Sequence, residues 1–224
     1  NMDEVIAELK DELSVEEEAM KIAAEKLTQS RIAAGKKLSS KIMRELADLD
    51  MNKVKFDIRI DKTDFNINGN DDLEFIISTN PGEGMKPLSK IASGGEMSRI
   101  MLAIKSILSD SDDIETLIFD EIDTGVSGEI ADRMADIMQE MGEQNRQVIS
   151  ITHLPQIAAR GRAHYKVYKR DNDTETNSHI RRLTDEERVE ELAHMLSGAT
   201  LTEAALSNAR ALLEPSLKER KIIR

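Results

Sequence analysis

Apolar and small side chains recur at helical spacing through the first 49 residues, at steps that are mostly three, four or seven. The positions are Val5, Leu9, Leu13, Met20, Ala23, Leu27, Ala34, Leu38, Ile42 and Leu49. Ser14-Val15-Glu16-Glu17 fits a capping box, so we expect one helix or two, the longer beginning near Val15. No Pro lies between Val15 and Leu49, which favours a coiled-coil arm, with an ordinary bundle helix as the alternative.

Beyond residue 50 the apolar residues recur at every second position. Apolar residues alternate with charged ones over 54–60, which predicts a half-buried strand. Further strands are predicted at 64–68 and 73–78, with Asn68-Gly69-Asn70 as the turn between them.

Helices and strands then alternate, which predicts an α/β layer with a parallel sheet. Helices are predicted near 95–108, 128–141, 155–160, 185–196 and 201–213, and strands at 115–119, 147–151, 163–169 and 180–183. Pro215 is predicted to end the last helix. The chain therefore divides into an arm at 1–50, a head domain at 51–214 and a loose tail at 215–224.

Composition narrows the class of protein. Charged residues make up 33% of the chain and aromatic residues 3%, which favours long charged helices around an aliphatic core. The absence of Cys excludes disulfides and thiolate metal sites and fits a reducing cytosol. No apolar run is long enough to span a membrane. A net charge of −12 disfavours nonspecific binding to nucleic acid.

Short motifs carry the candidate chemistry. Ser93-Gly94-Gly95-Glu96 precedes a predicted helix, so its backbone N–H groups can approach an anion; a flexible loop is the alternative. An apolar strand then ends in Asp120 and Glu121, where one carboxylate can support Mg²⁺ and the other can deprotonate water; an acidic loop is the alternative. His153 ends the next apolar strand, where α/β sheets bind ligands, or else it is a structural histidine.

In this order, the motifs resemble the signature motif, Walker B strand, D-loop and switch histidine of an ABC-type ATPase. Phe119-Asp120-Glu121-Ile122-Asp123 resembles the SMC (structural maintenance of chromosomes) branch of that family. Gly125-Val126-Ser127-Gly128 is similar to the D-loop of a bacterial DNA repair group within the branch. Further similar segments lie at 27–34, 45–49, 80–83, 87–105, 152–156 and 191–198, so the resemblance covers 15–213.

The resemblance implies the C-terminal lobe of an ABC/SMC-type ATPase head, preceded by a long coiled-coil helix. It also implies that the site binds ATP and Mg²⁺. Asp120 would support Mg²⁺ through water, Glu121 would act as the general base and His153 would lie near the γ-phosphate. The signature residues implied to meet the ATP of an opposite head are Ser93, Gly94, Gly95 and Glu96. The D-loop residues implied to bind the nucleotide are Thr124, Gly125, Val126, Ser127 and Gly128.

The implied partners are the protein's own N-terminal head half, a second head in a homodimer, and DNA, with no membrane. The implied function is ATP-driven head dimerisation coupled to DNA holding, in recombinational repair of double-strand breaks in the cytoplasm, at the nucleoid. Basic residues that could face DNA are Arg160, Arg162, Lys166, Lys169, Arg170, Arg181 and Arg182, with solvated strand faces as the alternative.

Other readings stay open. The chain could be the head fragment of another SMC-family ATPase, or a non-catalytic coiled-coil adaptor whose ATPase lobe is inactive. A metal-dependent nuclease or phosphatase using Asp120, Glu121, Asp123 and His153 would leave the SGGE motif and the arm unexplained.

No phosphate-loop motif G-x-x-x-x-G-K-[ST] occurs in the 224 residues. Gly35-Lys36 lacks the first glycine of that motif and lies inside the predicted helix. We therefore expect the phosphate-binding lysine in an N-terminal half of the head, outside this chain.

The chain by itself is expected neither to hydrolyse ATP nor to bind it with appreciable affinity, because the main cradle for the β- and γ-phosphates is missing. Calorimetric titration with MgATP measures this directly. Micromolar binding would reveal a nucleotide site that these motifs do not describe.

Overall fold

A computed structural model describes residues 2–91, 93–108, 114–126, 128–143, 146–172, 175–198 and 200–222 of the chain. At 170–172, 175–176 and 217–222 it describes the backbone only. The chain divides into two compact units, Asn1–Ile91 and Ala92–Arg224. The first unit joins the predicted arm to the strands that follow it.

One uninterrupted helix of 47 residues, α1 (Met2–Asp48), forms the arm, which confirms the helix predicted from the spacing. The capping-box pattern at Ser14 does not restart it. Its buried positions fall on one face and are Ala24, Thr28, Gly35, Ser39, Ile42 and Leu46. Residues 2–23 are all exposed, so the N-terminal half of α1 has its apolar positions in solvent.

An antiparallel sheet in the order β1-β2-β3 follows, with β1 at Lys55–Asn66, β2 at Gly69–Ser78 and β3 at Lys86–Pro87. The prediction of a separate strand at 64–68 is wrong. β1 runs through that region, and a register shift between Lys62 and Asn66 lets it continue into the hairpin. The turn residues are Ile67 and Asn68, and Gly69 follows with φ of 93°, which favours glycine.

Small residues on α1 bring the helix close to this sheet. A Cβ on Gly35 would lie 3.7 Å from Ile58 Cδ1, which is ordinary van der Waals contact. Near the hairpin tip, a Cβ on Gly69 would lie 3.0 Å from Leu27 Cδ2. Glycine is therefore favoured at position 69 by its backbone angle, and a larger residue there would also displace the end of the Leu27 side chain.

A buried carboxylate, Asp71, ties α1 to the hairpin. Its side chain is 0% exposed, and Arg31 Nη1 donates to its Oδ2 at 2.8 Å. Thr28 Oγ1 and Lys62 Nζ donate to its Oδ1 at 2.8 and 3.0 Å. The hydrogen bond from Arg31 is the main cause that lowers the pKa of Asp71 from 3.8 to about 2; the bonds from Thr28 and Lys62 add to it, and burial opposes them.

The second unit begins with an α/β layer, whose elements are α2 (Gly94–Leu108), β4 (Thr116–Asp120), α3 (Glu129–Glu143), β5 (Gln147–Ile151) and α4 (Pro155–Arg160). Strands β4 and β5 are parallel, as predicted, and pair from Thr116 with Gln147 to Asp120 with Ile151. The buried face of α3 includes Ala131, Met134, Ala135, Ile137, Met138 and Met141, which repeat at helical spacing.

The next two strands form a separate hairpin, β6 (Tyr165–Asn172) with β7 (Glu175–Arg182). Placing residues 163–169 in the parallel layer is therefore wrong. Only two positions separate β6 from β7, too few for the crossover that a parallel pair needs, so they pair antiparallel.

Two helices, α5 (Asp185–Ser197) and α6 (Glu203–Ile222), pack with α4 around Ala159, Leu192 and Leu213. A complete capping box starts α5: Thr184 Oγ1 accepts from Glu187 N, and the Glu187 carboxylate accepts from Thr184 N. The prediction that Pro215 ends the last helix and starts a loose tail is wrong, because α6 continues to Ile222. Buried Ser216 donates to the Ala159 carbonyl, a contact that holds α6 beyond the proline; 223–224 lie outside the described residues.

Replacing Asp71 with Asn should lower the urea midpoint of the chain at pH 7, because the charge that Arg31 and Lys62 contact is lost. The folded-state pKa lies below the ordinary value of 3.8, so this stabilisation is present above about pH 4 and is lost as the pH falls towards 2. The difference between wild type and variant should therefore shrink over that range in urea titrations. Asp72→Asn, an exposed neighbour, is the matched control, and a difference that does not depend on pH would contradict the assignment.

Candidate functional site

The parallel register of β4 and β5 brings the two predicted catalytic segments to one edge of the sheet. Asp120 lies opposite Ile151, so Glu121 and His153 both follow at the carboxyl ends of neighbouring strands. Glu121 N donates to Ile151 O at 3.0 Å, which extends the pairing by one residue. Asp120, Glu121 and His153 are all exposed there, where parallel sheets bind ligands.

Glu121 has a left-handed backbone, with φ of 49°, which is uncommon for a residue other than glycine. A turn holds this angle, because Thr124 N and Oγ1 donate to Glu121 O at 3.3 and 2.9 Å. Strand alternation would separate Asp120 from Glu121, but Glu121 lies outside β4. The left-handed turn at Glu121, rather than strand alternation, therefore sets the course of the backbone there, and strained backbone of this kind clusters at functional sites.

Asp123 is the buried carboxylate of the site, with 1% of its surface exposed. Thr152 Oγ1 donates to its Oδ2, and His153 Nδ1 lies 3.7 Å from its Oδ1. The His153 side chain is 63% exposed. Sequence reasoning considered Asp123 only as a nuclease ligand, although its place after Asp120 and Glu121 was the available signal.

Gly95 brings the SGGE motif against the D-loop segment, residues 124–128. A Cβ at Gly95 would lie 3.0 Å from Thr124 O, tighter than most contacts that Cβ atoms make, so the neighbouring backbone would have to shift by a few tenths of an ångström. A Cβ at Gly94 would meet nothing within 4 Å. Sequence reasoning placed both glycines near an anion, but it did not find this contact, which depends on the tertiary fold.

The residues around Gly95 start α2 and leave part of the motif exposed. Ser93 Oγ accepts from Glu96 N at 3.4 Å, and Ser93 O accepts from Met97 N at 3.0 Å. Ser93 and Gly94 are exposed. The first N–H groups of a helix have no partner in the helix itself, so this end of α2 is suited to an anion.

The D-loop segment turns sharply at its glycines. Gly125 and Gly128 have φ of 75° and 59°, and Val126 is buried. Val126 N donates to Asp123 O at 3.1 Å, which links the segment to the buried carboxylate. Ser127 lies outside the described residues.

Within the described part of the chain, no three His, Cys, Asp or Glu side chains form a group that could hold a metal ion. Among the described helices, none has the length and apolar character needed to cross a membrane.

The seven basic residues considered for DNA contact are partly neutralised. Carboxylates pair with three of them, in the pairs Arg160–Asp136, Lys166–Glu191 and Arg181–Glu187. Arg162, Lys169 and Arg182 are exposed and form no ion pair with a described residue, and the side chain of Arg170 lies outside the description. Ion pairs within the described structure therefore reduce the positive charge that three of the seven residues can offer to DNA.

Comparison with curated proteins finds close relatives of one kind. The chain is 39% identical over 217 residues to "DNA repair protein RecN" of Halalkalibacterium halodurans, which covers 95% of this chain and 38% of the relative. It is 43% identical over 190 residues to the RecN protein of Rickettsia conorii, which covers 85% of this chain and 35% of the relative. The matched region is the C-terminal part of these proteins, little more than a third of their length. No protein-family model matches the chain.

Comparison with solved structures finds SMC heads. A Smc head domain with coiled coil and joint from Pyrococcus yayanosii has a TM-score of 0.56 at 21% identity and covers 71% of this chain and 29% of that one. A structure titled "Structural biochemistry of ATP-driven dimerization and DNA stimulated activation of SMC ATPases" has a TM-score of 0.50 at 20% identity. It covers 77% of this chain and 99% of that one. At these identities the likeness shows the fold: an SMC-type head, as predicted.

Gly95→Ala should lower the thermal stability of the chain, because the new methyl group would force Thr124 O or the start of α2 to move. Gly94→Ala is the matched control and should be neutral or slightly stabilising, by up to about 1 kcal/mol, since alanine restricts the unfolded chain. Calorimetry on both variants tests this contrast. Equal melting temperatures for the two would show that Gly95 is not in tight contact with the D-loop segment.

Proposed function

We propose that this chain, a RecN-like head fragment, forms the C-terminal lobe of an ATPase head, and that the full-length protein hydrolyses ATP in the recombinational repair of DNA double-strand breaks. One observation carries the proposal: four motifs come together in one compact unit. The β4–β5 register aligns Asp120 and Glu121 with His153, and Gly95 contacts Thr124 of the D-loop segment. ATP hydrolysis depends on groups that position and stabilise the phosphates, and the strand-end residues Asp120, Glu121 and His153 would supply them.

Asp120 would support Mg²⁺ in this site. Mg²⁺ keeps several waters and is usually held by one or two carboxylates together with substrate phosphates. An exposed carboxylate at the end of β4 fits that donor set, and it does not require a complete cage of protein ligands. When bound, the ion would neutralise charge on the β- and γ-phosphates.

Glu121 would act as the general base. Its carboxylate is exposed at the strand edge, and the turn closed by Thr124 fixes its backbone. A fixed carboxylate can orient a water molecule and accept its proton during attack on the γ-phosphate. His153, exposed at the neighbouring strand end, would contact the γ-phosphate side.

A second head would complete the site. The exposed N-terminus of α2, with Ser93, Gly94, Gly95 and Glu96, would meet the γ-phosphate of the ATP held by the opposite head in a homodimer. The D-loop segment, residues 124–128, would line the same interface, and ATP hydrolysis would open it. This cycle would be coupled to the holding of DNA, in the cytoplasm at the nucleoid.

The N-terminal half of the head would supply the phosphate-binding loop and cover the sheet. Ile118, Ile149 and Ile151 lie on one face of the β4–β5 pair and are 65%, 41% and 50% exposed. Parallel sheets are normally buried on both faces, so this apolar face needs a covering layer. The exposed apolar positions of α1 before Ala24 would likewise pack on a second coiled-coil helix.

In the full-length protein, Glu121→Gln should keep ATP binding nearly intact and slow turnover by about 10²–10⁴-fold, because the amide cannot accept a proton from water. Asp120→Asn should weaken MgATP binding as well as turnover, since it reduces support for the ion. Single-turnover kinetics and calorimetry on the two variants separate these roles.

Sedimentation adds a second readout. ATP-bound head dimers should accumulate in Glu121→Gln, because the signature residues of one head close over the nucleotide of the other. Normal turnover in Glu121→Gln, together with an inactive Asp123→Asn, would overturn the assignment of the general base.

A further inference from the structure

Asp123 is a buried carboxylate with only one of its two oxygens hydrogen-bonded to a described group. It is 1% exposed, and Oδ2 accepts a hydrogen bond from Thr152 Oγ1. Oδ1 is buried and receives no hydrogen bond from any described group. A buried carboxylate oxygen without a donor is costly, which points to a partner that engages it in the working protein.

Thr152 fixes the orientation of that carboxylate. Its hydroxyl donates to Asp123 Oδ2 and accepts from Leu154 N at 2.9 Å, so it is held from both sides. His153 lies between Thr152 and Leu154 in the chain, and its Nδ1 is 3.7 Å from Asp123 Oδ1. The same short segment therefore occupies one carboxylate oxygen and brings an imidazole nitrogen to the other.

We propose that Asp123 is a positioning residue for His153, accepting a hydrogen bond from Nδ1–H and turning Nε2 outward. A distance of 3.7 Å is longer than a hydrogen bond, but such bonds are often long without substrate and tighten in the complex. A carboxylate on one imidazole nitrogen selects the tautomer and stabilises the ring when the other nitrogen takes up a proton. Nε2, on the exposed side of the ring, is then free to meet a phosphate oxygen.

The catalytic use of His153 in this inference rests on the proposed ATPase function, but the pairing of Asp123 with His153 does not. A purely structural role for Asp123, limited to holding Thr152 and the turn at Val126, would leave the imidazole tautomer unaffected. The tautomer is therefore the decisive observable.

Histidine nitrogen shifts, measured by ¹⁵N NMR on the 224-residue chain at about pH 8.5, report the tautomer, because an ordinary histidine is neutral there. The chain has four histidines, so the spectrum can be assigned with single substitutions. In the wild type, His153 should carry its proton on Nδ1. In Asp123→Asn, Thr152 keeps the amide oxygen, the NH₂ group faces the ring, and the proton should move to Nε2, as in other histidines that lose an orienting carboxylate.

Control variants separate this effect from loss of fold. Asp132→Asn removes the same charge in the first turn of α3 and should leave the tautomer of His153 unchanged. Thr152→Val should weaken the Nδ1–H preference because the carboxylate is no longer held, and Thr152→Ser should restore it. If Asp123→Asn does not fold, the two Thr152 variants still test whether Asp123 sets the tautomer of His153.

In the full-length protein, Asp123→Asn should lower kcat about 10- to 100-fold with KM for MgATP unchanged, the usual effect of losing a partner that orients a functional histidine. An Nε2–H tautomer in the wild type, or the same tautomer in wild type and Asp123→Asn, would overturn the pairing. A full-length wild type that does not hydrolyse ATP would overturn the proposed function, while the NMR result would still decide the pairing.

Discussion

The candidate site depends on the parallel pairing of β4 with β5. The register that places Asp120 opposite Ile151 also places the turn after β4 beside the segment after β5. Because Glu121 N donates to Ile151 O, the two backbone segments stay paired for one residue beyond the end of β4 before they separate. The hydrogen bond from Thr152 to Asp123 then joins the segment after β4 to the segment after β5. A shift of one register position would move Glu121 and Asp123 relative to Thr152 and His153.

Local sequence patterns predicted the helices and strands whose formation depends mainly on the spacing of neighbouring apolar residues. The spacing of apolar residues predicted α1, and the apolar runs before Asp120 and His153 predicted the two parallel strands. The SMC-type head followed from the order of motifs, and the relatives and solved structures agree with it. The roles of Asp120, Glu121 and His153 remain predictions, since they concern chemistry with groups outside this chain.

The predictions from sequence that were wrong or incomplete have a common physical origin: they missed contacts between residues that are distant in the chain. A bulge allowed β1 to absorb a stretch that looked like a second strand. The bond from Ser216 to Ala159 joins positions 57 apart in sequence and holds α6 beyond its proline. The contact of Gly95 with Thr124 and the burial of Asp123 likewise depend on tertiary packing. Carboxylates on α3 and α5 neutralise three of the basic residues that composition alone suggested as a surface for DNA.

Asp71 also gives the long helix a fixed pivot. The hydrogen bond from Thr28 and, one turn further along, the ion pair of Glu25 with Lys62 attach α1 to the hairpin close to the start of the exposed stretch. From Thr28 to Met2 the helix extends about 40 Å at ~1.5 Å per residue, so a rotation of ~10° at Asp71 would move its end by about 7 Å. A helix attached in this way acts as a lever, and a small rearrangement of side chains around one carboxylate becomes a large displacement at the far end of the arm.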